Sequence, residues 1–253
     1  MKSSVFFDVR VECDSEQFAH SYDLLEATFD ESKLSPRSFF LSDFQLKLPD
    51  GISPFVMLSR FKHESAEQSC PIVSVVSGYY LMIDPIARLS VGFIEYLTTH
   101  PSFRYTQGHG TAMLAQFEAQ MRQIAAQRYD HLLLIAGEVP NTMLNFKIHR
   151  GYRWPQGSIY FQPPIAYDFF TGEPQSDPVP FMLMIKTEGD PVASSIDTAL
   201  LIQTVDAIYR ERYGAPSGPS SAKVEALKDA LLQQFVASVS AHGKEVPLVI
   251  PSA

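Results

Sequence analysis

Apolar positions in the first half of the chain follow two periods, and the changes from one to the other mark its elements. Val5 to Val11 alternates weakly and carries Phe6, Val9 and Val11, which predicts a first strand. Asp14 or Ser15 can cap a helix with Phe18, Tyr22, Leu25 and Phe29 at helical spacing. A second helix begins after Ser35-Pro36 and carries Phe39, Phe40, Phe44 and Leu48. This aromatic content reads as core more readily than as a substrate cage. Pro49-Asp50-Gly51 is a turn signal, after which Phe55 to Phe61, Ile72 to Ile83 and Leu89 to Thr99 read as three strands of a meander. An amphipathic helix over Gly110 to Arg128 then places Met113, Leu114, Phe117, Met121 and Ile124 on one face. His131 to Ala136 is apolar, as expected of a strand buried on both faces.

Further on, Asn141 can cap a short helix running through Ile148, Gly151 ends it, and Tyr152 to Phe161 returns as a strand containing Trp154. Pro163-Pro164 and the Gly-, Pro- and Asp-rich segment Asp168 to Pro180 predict a surface loop before a last strand, Phe181 to Ile185. Past Ser194 the pattern turns helical, with Ile196, Leu200, Ile202, Val205, Ile208 and Tyr209 before a Gly-Ala-Pro-Ser-Gly-Pro break. Val224, Leu227, Leu231, Leu232, Phe235 and Val236 follow it. The order predicts an α/β protein with a mixed, mostly antiparallel twisted sheet flanked by helices over residues 1–190. Residues 191–253 form an added C-terminal helical pair that either packs on the sheet as a hairpin or serves association, as in a homodimer.

The hand-over from strand to helix near residue 108 is the first functional clue. Gly108 and Gly110 bracket His109 directly before the amphipathic helix. Without a Cβ, such a turn lets consecutive backbone amides converge, and the positive end of the helix dipole lies behind them. A phosphate can bind there without a lysine. Gly-x-Gly before a helix is equally an ordinary tight turn, so the clue gains weight only from its neighbours.

Those neighbours are Glu95, Leu97 and Thr99 alternating along the preceding strand, then Pro101 and Arg104, and later Asn141, Phe146, Gly151 and Tyr152. Together, over about Ser74 to Gln162, they resemble the GCN5-related N-acetyltransferase (GNAT) superfamily. In that family a Glu-x-Leu-x-Val-x-Pro strand leads into an Arg/Gln-x-x-Gly-x-Gly/Ala loop that cradles the pyrophosphate of acetyl-CoA. A later Asn-bearing segment ending in Phe-Tyr-x-x-x-Gly-Phe lies beside the pantetheine arm. The resemblance therefore implies a GNAT-like fold and an acetyl-CoA site formed by Tyr96, Leu97, Thr98 and Thr99, by Arg104, by Gln107, Gly108, His109, Gly110 and Thr111, and by Asn141 and Phe146. Two positions depart from the pattern. Tyr105 stands where the arginine is usual, with Arg104 one place further back, and Lys147 stands where a tyrosine is frequent, with Asn141 one residue closer to Phe146 than usual.

Acetyl transfer to an amine needs a thioester in reach, a deprotonated amine, and a stabilised oxyanion and thiolate. Similar enzymes often carry a strand glutamate as base, which here is Glu95; burial raises the pKa of a carboxylate, and that suits proton abstraction. For the acid, Tyr152, His149, Lys147 and His109 compete. His109, between two glycines, is expected to point outward as a loop residue, and His149 at a helix end is explained by the dipole alone. The implied activity is N-acetyltransfer from acetyl-CoA to a primary amine of a small molecule or peptide; the alternative is a non-catalytic acyl-CoA-binding regulatory module of the same fold.

Composition narrows these options. Of 253 residues, 45% are hydrophobic and 19% charged, which fits a globular chain rather than a disordered one. A net charge of -8 argues against a nucleic-acid partner and favours a cationic substrate. No apolar run reaches the roughly 18 residues of a membrane span. Asp8 and Arg10 lie where a signal peptide stays apolar, so a cytoplasmic protein without a membrane partner is expected. Cys13 and Cys70 are the two cysteines, with no metal-ligand spacing, and no metal is expected.

Overall fold

The computed structural model describes residues 5–13, 15–30, 33–63, 71–104, 108–139, 147–165, 173–190, 193–213 and 221–251. Among these residues, ten strands and five α-helices follow in the order β1 (Val5–Arg10), α1 (Glu16–Glu26), α2 (Arg37–Gln45), β2 (Phe55–His63), β3 (Ile72–Asp84), β4 (Leu89–Thr99), α3 (His109–Arg128), β5 (His131–Val139), β6 (Trp154–Pro155), β7 (Tyr160–Gln162), β8 (Val179–Thr187), β9 (Ser195–Asp197), α4 (Thr198–Ala207), α5 (Ser221–Ser240) and β10 (Glu245–Val249). Seven strands form one sheet in the order β1-β2-β3-β4-β5-β8-β7, and β6-β10-β9 form a second, smaller one. The pairs β1/β2, β2/β3, β5/β8 and β7/β8 are antiparallel. The fold class predicted from the sequence is thus the one observed.

The chain divides into two compact units, Met1–Tyr80 with Ile94–Tyr129, and Leu81–Phe93 with Asp130–Ala253. Strands β3 and β4 run through both. In the first unit the Ser15 side chain caps α1 by accepting from the Phe18 amide. Pro36 precedes α2, whose ring Phe40 is fully buried. Phe40 meets Phe18, Tyr22, Phe55 and Tyr96 at centroid distances of 5.6 to 6.4 Å, edge to face with Tyr22 and Phe55 and tilted against Phe18 and Tyr96. These aromatics are therefore core, and they fasten the helical pair to β2 and β4. Arg128 at the end of α3 pairs with Asp50 in the turn before β2.

In the same unit α3 starts one residue earlier than its apolar period suggests, at His109. The expectation that His109 points outward is overturned. Its ring is only 3% exposed and lies 4.5 Å from the Phe6 ring and 5.9 Å from the Phe103 ring. The cause is that Gly108, at φ +68°, turns the chain so that the first helical side chain faces inward.

In the second unit β5 extends three residues beyond the apolar run, to Val139, and pairs with β8 from Leu134↔Thr187 to Val139↔Met182. The single strand expected over Tyr152 to Phe161 is instead two short strands, β6 and β7. Pro155 has no amide to donate, and Gly157 at φ +73° turns the chain away. Val179–Thr187 is not the last strand either. Ile196 belongs to β9 rather than to a helix, Asp197 caps α4 by accepting from the Leu200 amide, and β10 pairs with β6 and β9. Residues beyond 190 thus share a sheet with Trp154 and Pro155. The last turn of α4 widens into a π-helical turn, Ile208–Arg212, which buries Ile208, Tyr209 and Arg212.

No described helix is long and apolar enough to cross a membrane. Replacing Phe40 with alanine removes a ring packed on four others, so unfolding in urea should show a loss of about 3–5 kcal/mol.

Candidate functional site

The glycine turn of the first unit has the geometry of an anion cradle. Gly108 occupies the left-handed region with φ +68° and ψ 29°, and the first intrahelical bond runs from the Ala112 amide to its carbonyl. The amides of His109 and Gly110 therefore have no acceptor within the helix. No acidic residue sits in the first turn of α3. Among the described residues a Cβ added to Gly108 would meet Thr111 Cβ alone, at 4.0 Å, so the backbone conformation rather than crowding is what demands glycine.

Strand β4 leads towards this turn and presents Glu95, Tyr96, Leu97, Thr98 and Thr99. Glu95 is buried, and Ser35 Oγ donates to its Oε1 at 3.4 Å. The Tyr96 hydroxyl donates to the Lys33 carbonyl at 2.9 Å and accepts from the Ser35 amide at 2.9 Å. The link between α1 and α2 is thereby tied to the two consecutive strand residues. Nearer the end of β4, Ser74 Oγ donates to the Thr98 carbonyl at 2.6 Å. Arg104 Nε donates to the Thr99 carbonyl at 2.9 Å, so this guanidinium braces the strand end just before the glycine turn. Gln107 lies outside the described residues.

The His109 ring stands behind the turn rather than above it. Neither ring nitrogen has a hydrogen-bond partner among the described residues. Burial is the first cause that lowers its pKa below the usual histidine value; the nearby Arg60 guanidinium acts in the same direction, and Asp8 opposes both. Arg60 and Asp8 face each other through two bonds, Nε to Oδ1 at 2.5 Å and Nη2 to Oδ2 at 2.6 Å.

Within the second unit, Tyr152 is fully buried, with Lys147 Nζ 4.4 Å and Lys186 Nζ 5.8 Å from its ring centroid. Lys147 is itself only 4% exposed. His149 lies exposed in the turn between Lys147 and Gly151. Asn141 and Phe146 fall outside the described residues. Towards the end of β5, Glu138 Oε1 accepts from the Tyr160 hydroxyl at 2.5 Å and the Tyr213 hydroxyl at 2.9 Å. Burial, and then the Glu138 charge, raise the Tyr160 pKa well above the usual phenol value, so Tyr160 stays a neutral donor.

Sequence patterning did not single out Ser35 except as a helix boundary, and it missed Glu138 with its tyrosines. Their partners lie 60, 22 and 75 positions away, beyond any local period. Among the described residues no group of three or more His, Cys, Asp or Glu side chains could hold a metal ion.

No family model and no curated protein matches the chain by sequence. Solved structures do match it. NAA60 of Arabidopsis thaliana, in complex with acetyl-CoA, aligns over 74% of this chain and 100% of its own at 9% identity, with a TM-score of 0.52. The NatC complex bound to Gag peptide and CoA aligns over 71% and 96% at 14% identity, with a TM-score of 0.47. A GNAT-family acetyltransferase of Streptococcus pneumoniae aligns over 72% and 99% at 12% identity, with a TM-score of 0.43. The assignment of the fold rests on the first of these and on the sheet described above. By that likeness the chain has the fold of the GCN5-related N-acetyltransferases.

Proposed function

We propose that this chain is an acetyl-CoA-dependent N-acetyltransferase acting on a primary amine of a small molecule or a peptide end. The observation that carries the proposal is the left-handed Gly108 at the head of α3, which sets the amides of His109 and Gly110, without intrahelical acceptors, at the positive end of a 20-residue helix. That arrangement suits a pyrophosphate, and the structural likeness to a protein that binds acetyl-CoA supports it. The thioester then supplies an activated acetyl group, and the backbone of Tyr96 to Thr99 pairs with the pantetheine amides as an added strand would.

Transfer joins the amine nitrogen to the acetyl carbon and breaks the carbon–sulfur bond. The ammonium must first lose a proton, and the thiolate must gain one. Glu95 is assigned the first task, because its carboxylate is buried on β4 and oriented by Ser35. For the second, Tyr152, His149 and Lys147 are the candidates; enclosure of the His109 ring by Phe6 and Phe103 removes that residue from the competition. The alternative of a non-catalytic acyl-CoA-binding module is favoured by Lys147 standing where a tyrosine is frequent and by the shifted arginine, Arg104, whose Nε is bound to the Thr99 carbonyl.

Calorimetric titration with acetyl-CoA and CoA should give binding at about micromolar concentration. An amine screen with detection of released thiol then separates enzyme from silent module. Valine at position 108 cannot adopt φ +68° without strain of about 1–2 kcal/mol, so Gly108→Val should weaken acetyl-CoA binding about tenfold while circular dichroism stays unchanged. The Glu95→Gln variant should keep its acetyl-CoA affinity and lose about a hundredfold in turnover at neutral pH. Full turnover in that variant would remove Glu95 as the base.

A further inference from the structure

The residue that heads α3 carries a titratable ring into an apolar enclosure, directly behind the amides assigned to the anion. His109 is held by Phe6 of β1 on one side and by Phe103, from the short Pro101–Phe103 turn, on the other. Both nitrogens are buried, and no described residue offers either of them a hydrogen bond. A neutral imidazole leaves one N–H donor and one lone pair unsatisfied. An imidazolium is penalised more, because it buries a charge and leaves two N–H donors without an acceptor among the described residues.

The charges around the ring sharpen the difference. β2 brings Arg60 and β1 brings Asp8, already paired with each other. The Phe103 turn carries His100, whose Nδ1 accepts from the Ser102 amide, and Arg104, whose Nε is bound to the Thr99 carbonyl. On α3 itself the first turn holds no carboxylate, and the helix end behind it is positive. Among the described residues Asp8 is the acidic group that acts on the ring, and its two oxygens are already engaged by Arg60.

We propose that His109 makes the anion-binding turn sensitive to pH: neutral and enclosed, it holds the first turn of α3 in the shape that presents the amides of His109 and Gly110, and protonation releases the ring and unwinds that turn. The inference rests on the proposed acetyl-CoA site for its consequence, though not for the switch itself. Its sign follows from the lowered pKa of the enclosed ring. The enclosed form binds fewer protons than the released one, whose pKa is roughly 6.5. The ordered turn is therefore fully present above that value and is lost as pH falls through it towards the lower pKa of the enclosed ring.

The test compares the intact protein with His109→Phe, and with His109→Leu should the phenylalanine variant fail to fold, at about pH 7.5 and about pH 5.5. In the ligand-free protein, the protection of the Ala112 to Leu114 amides, with the intrinsic slowing of exchange at lower pH divided out, should fall about tenfold on acidification, and in either variant it should not. Acetyl-CoA affinity should fall about tenfold over the same interval in the unchanged protein and by less than about threefold in the variants. His100→Gln should leave the acid response as it is. Equal acid responses in the unchanged protein and the His109 variants, in exchange or in affinity, overturn the switch. Absence of acetyl-CoA binding at the higher pH overturns the proposed function instead, and the exchange measurement still decides the fate of His109.

Discussion

Burial of two long strands is the constraint on which the rest of the structure depends. β3 has 13 residues and β4 has 11, and nearly all of both are withdrawn from solvent through their middle lengths. Strands buried in this way need apolar cover, and in the first unit the aromatic group around Phe40 supplies it for β2 and β4. The same cover fixes the link between α1 and α2, because the Tyr96 ring packs on Phe29 and Phe40 while its hydroxyl holds Lys33 and Ser35. Core packing and the surroundings of Glu95 are thus one arrangement.

A second consequence concerns the start of α3. A helix that buries Met113, Leu114, Phe117 and Met121 must begin in a fixed rotation, and that rotation sends the side chain of its first residue inward. The left-handed Gly108 makes the entry possible, and Arg104, bound to the Thr99 carbonyl, braces the strand end just ahead of it. The helix head at Gly108 and a buried histidine behind it are two results of one backbone decision. The histidine faces Phe6 and Phe103.

The second unit builds its polar chemistry differently. Glu138 is held by hydroxyls from β7 and from the chain just past the π-helical turn, and Tyr209 donates to the Phe161 carbonyl at 2.7 Å. Widening of the helix at Ile208–Arg212 brings Tyr209 and Tyr213 within 6.5 Å of each other, ring to ring. The segment beyond residue 190 is therefore joined to β5 and β7 by polar contacts, besides sharing a sheet with β6.

Much of the architecture was legible in the sequence. Strand β4 carries its bounds in its pattern, α3 is set to within one residue by its apolar spacing, and the glycine turn is visible as two residues. Periodicity works there because burial of one face repeats along a single element. It failed between Tyr152 and Phe161, where Pro155 and Gly157 break an apolar stretch, and at β9 and β10, whose few residues are too short to show a period. Only the tertiary structure decided that Ser35 meets Glu95, that Tyr213 meets Glu138, and that His109 is enclosed rather than exposed. Each of those facts joins positions far apart in the chain or depends on the rotation of a helix against its sheet, and neither leaves a repeating mark on neighbouring residues.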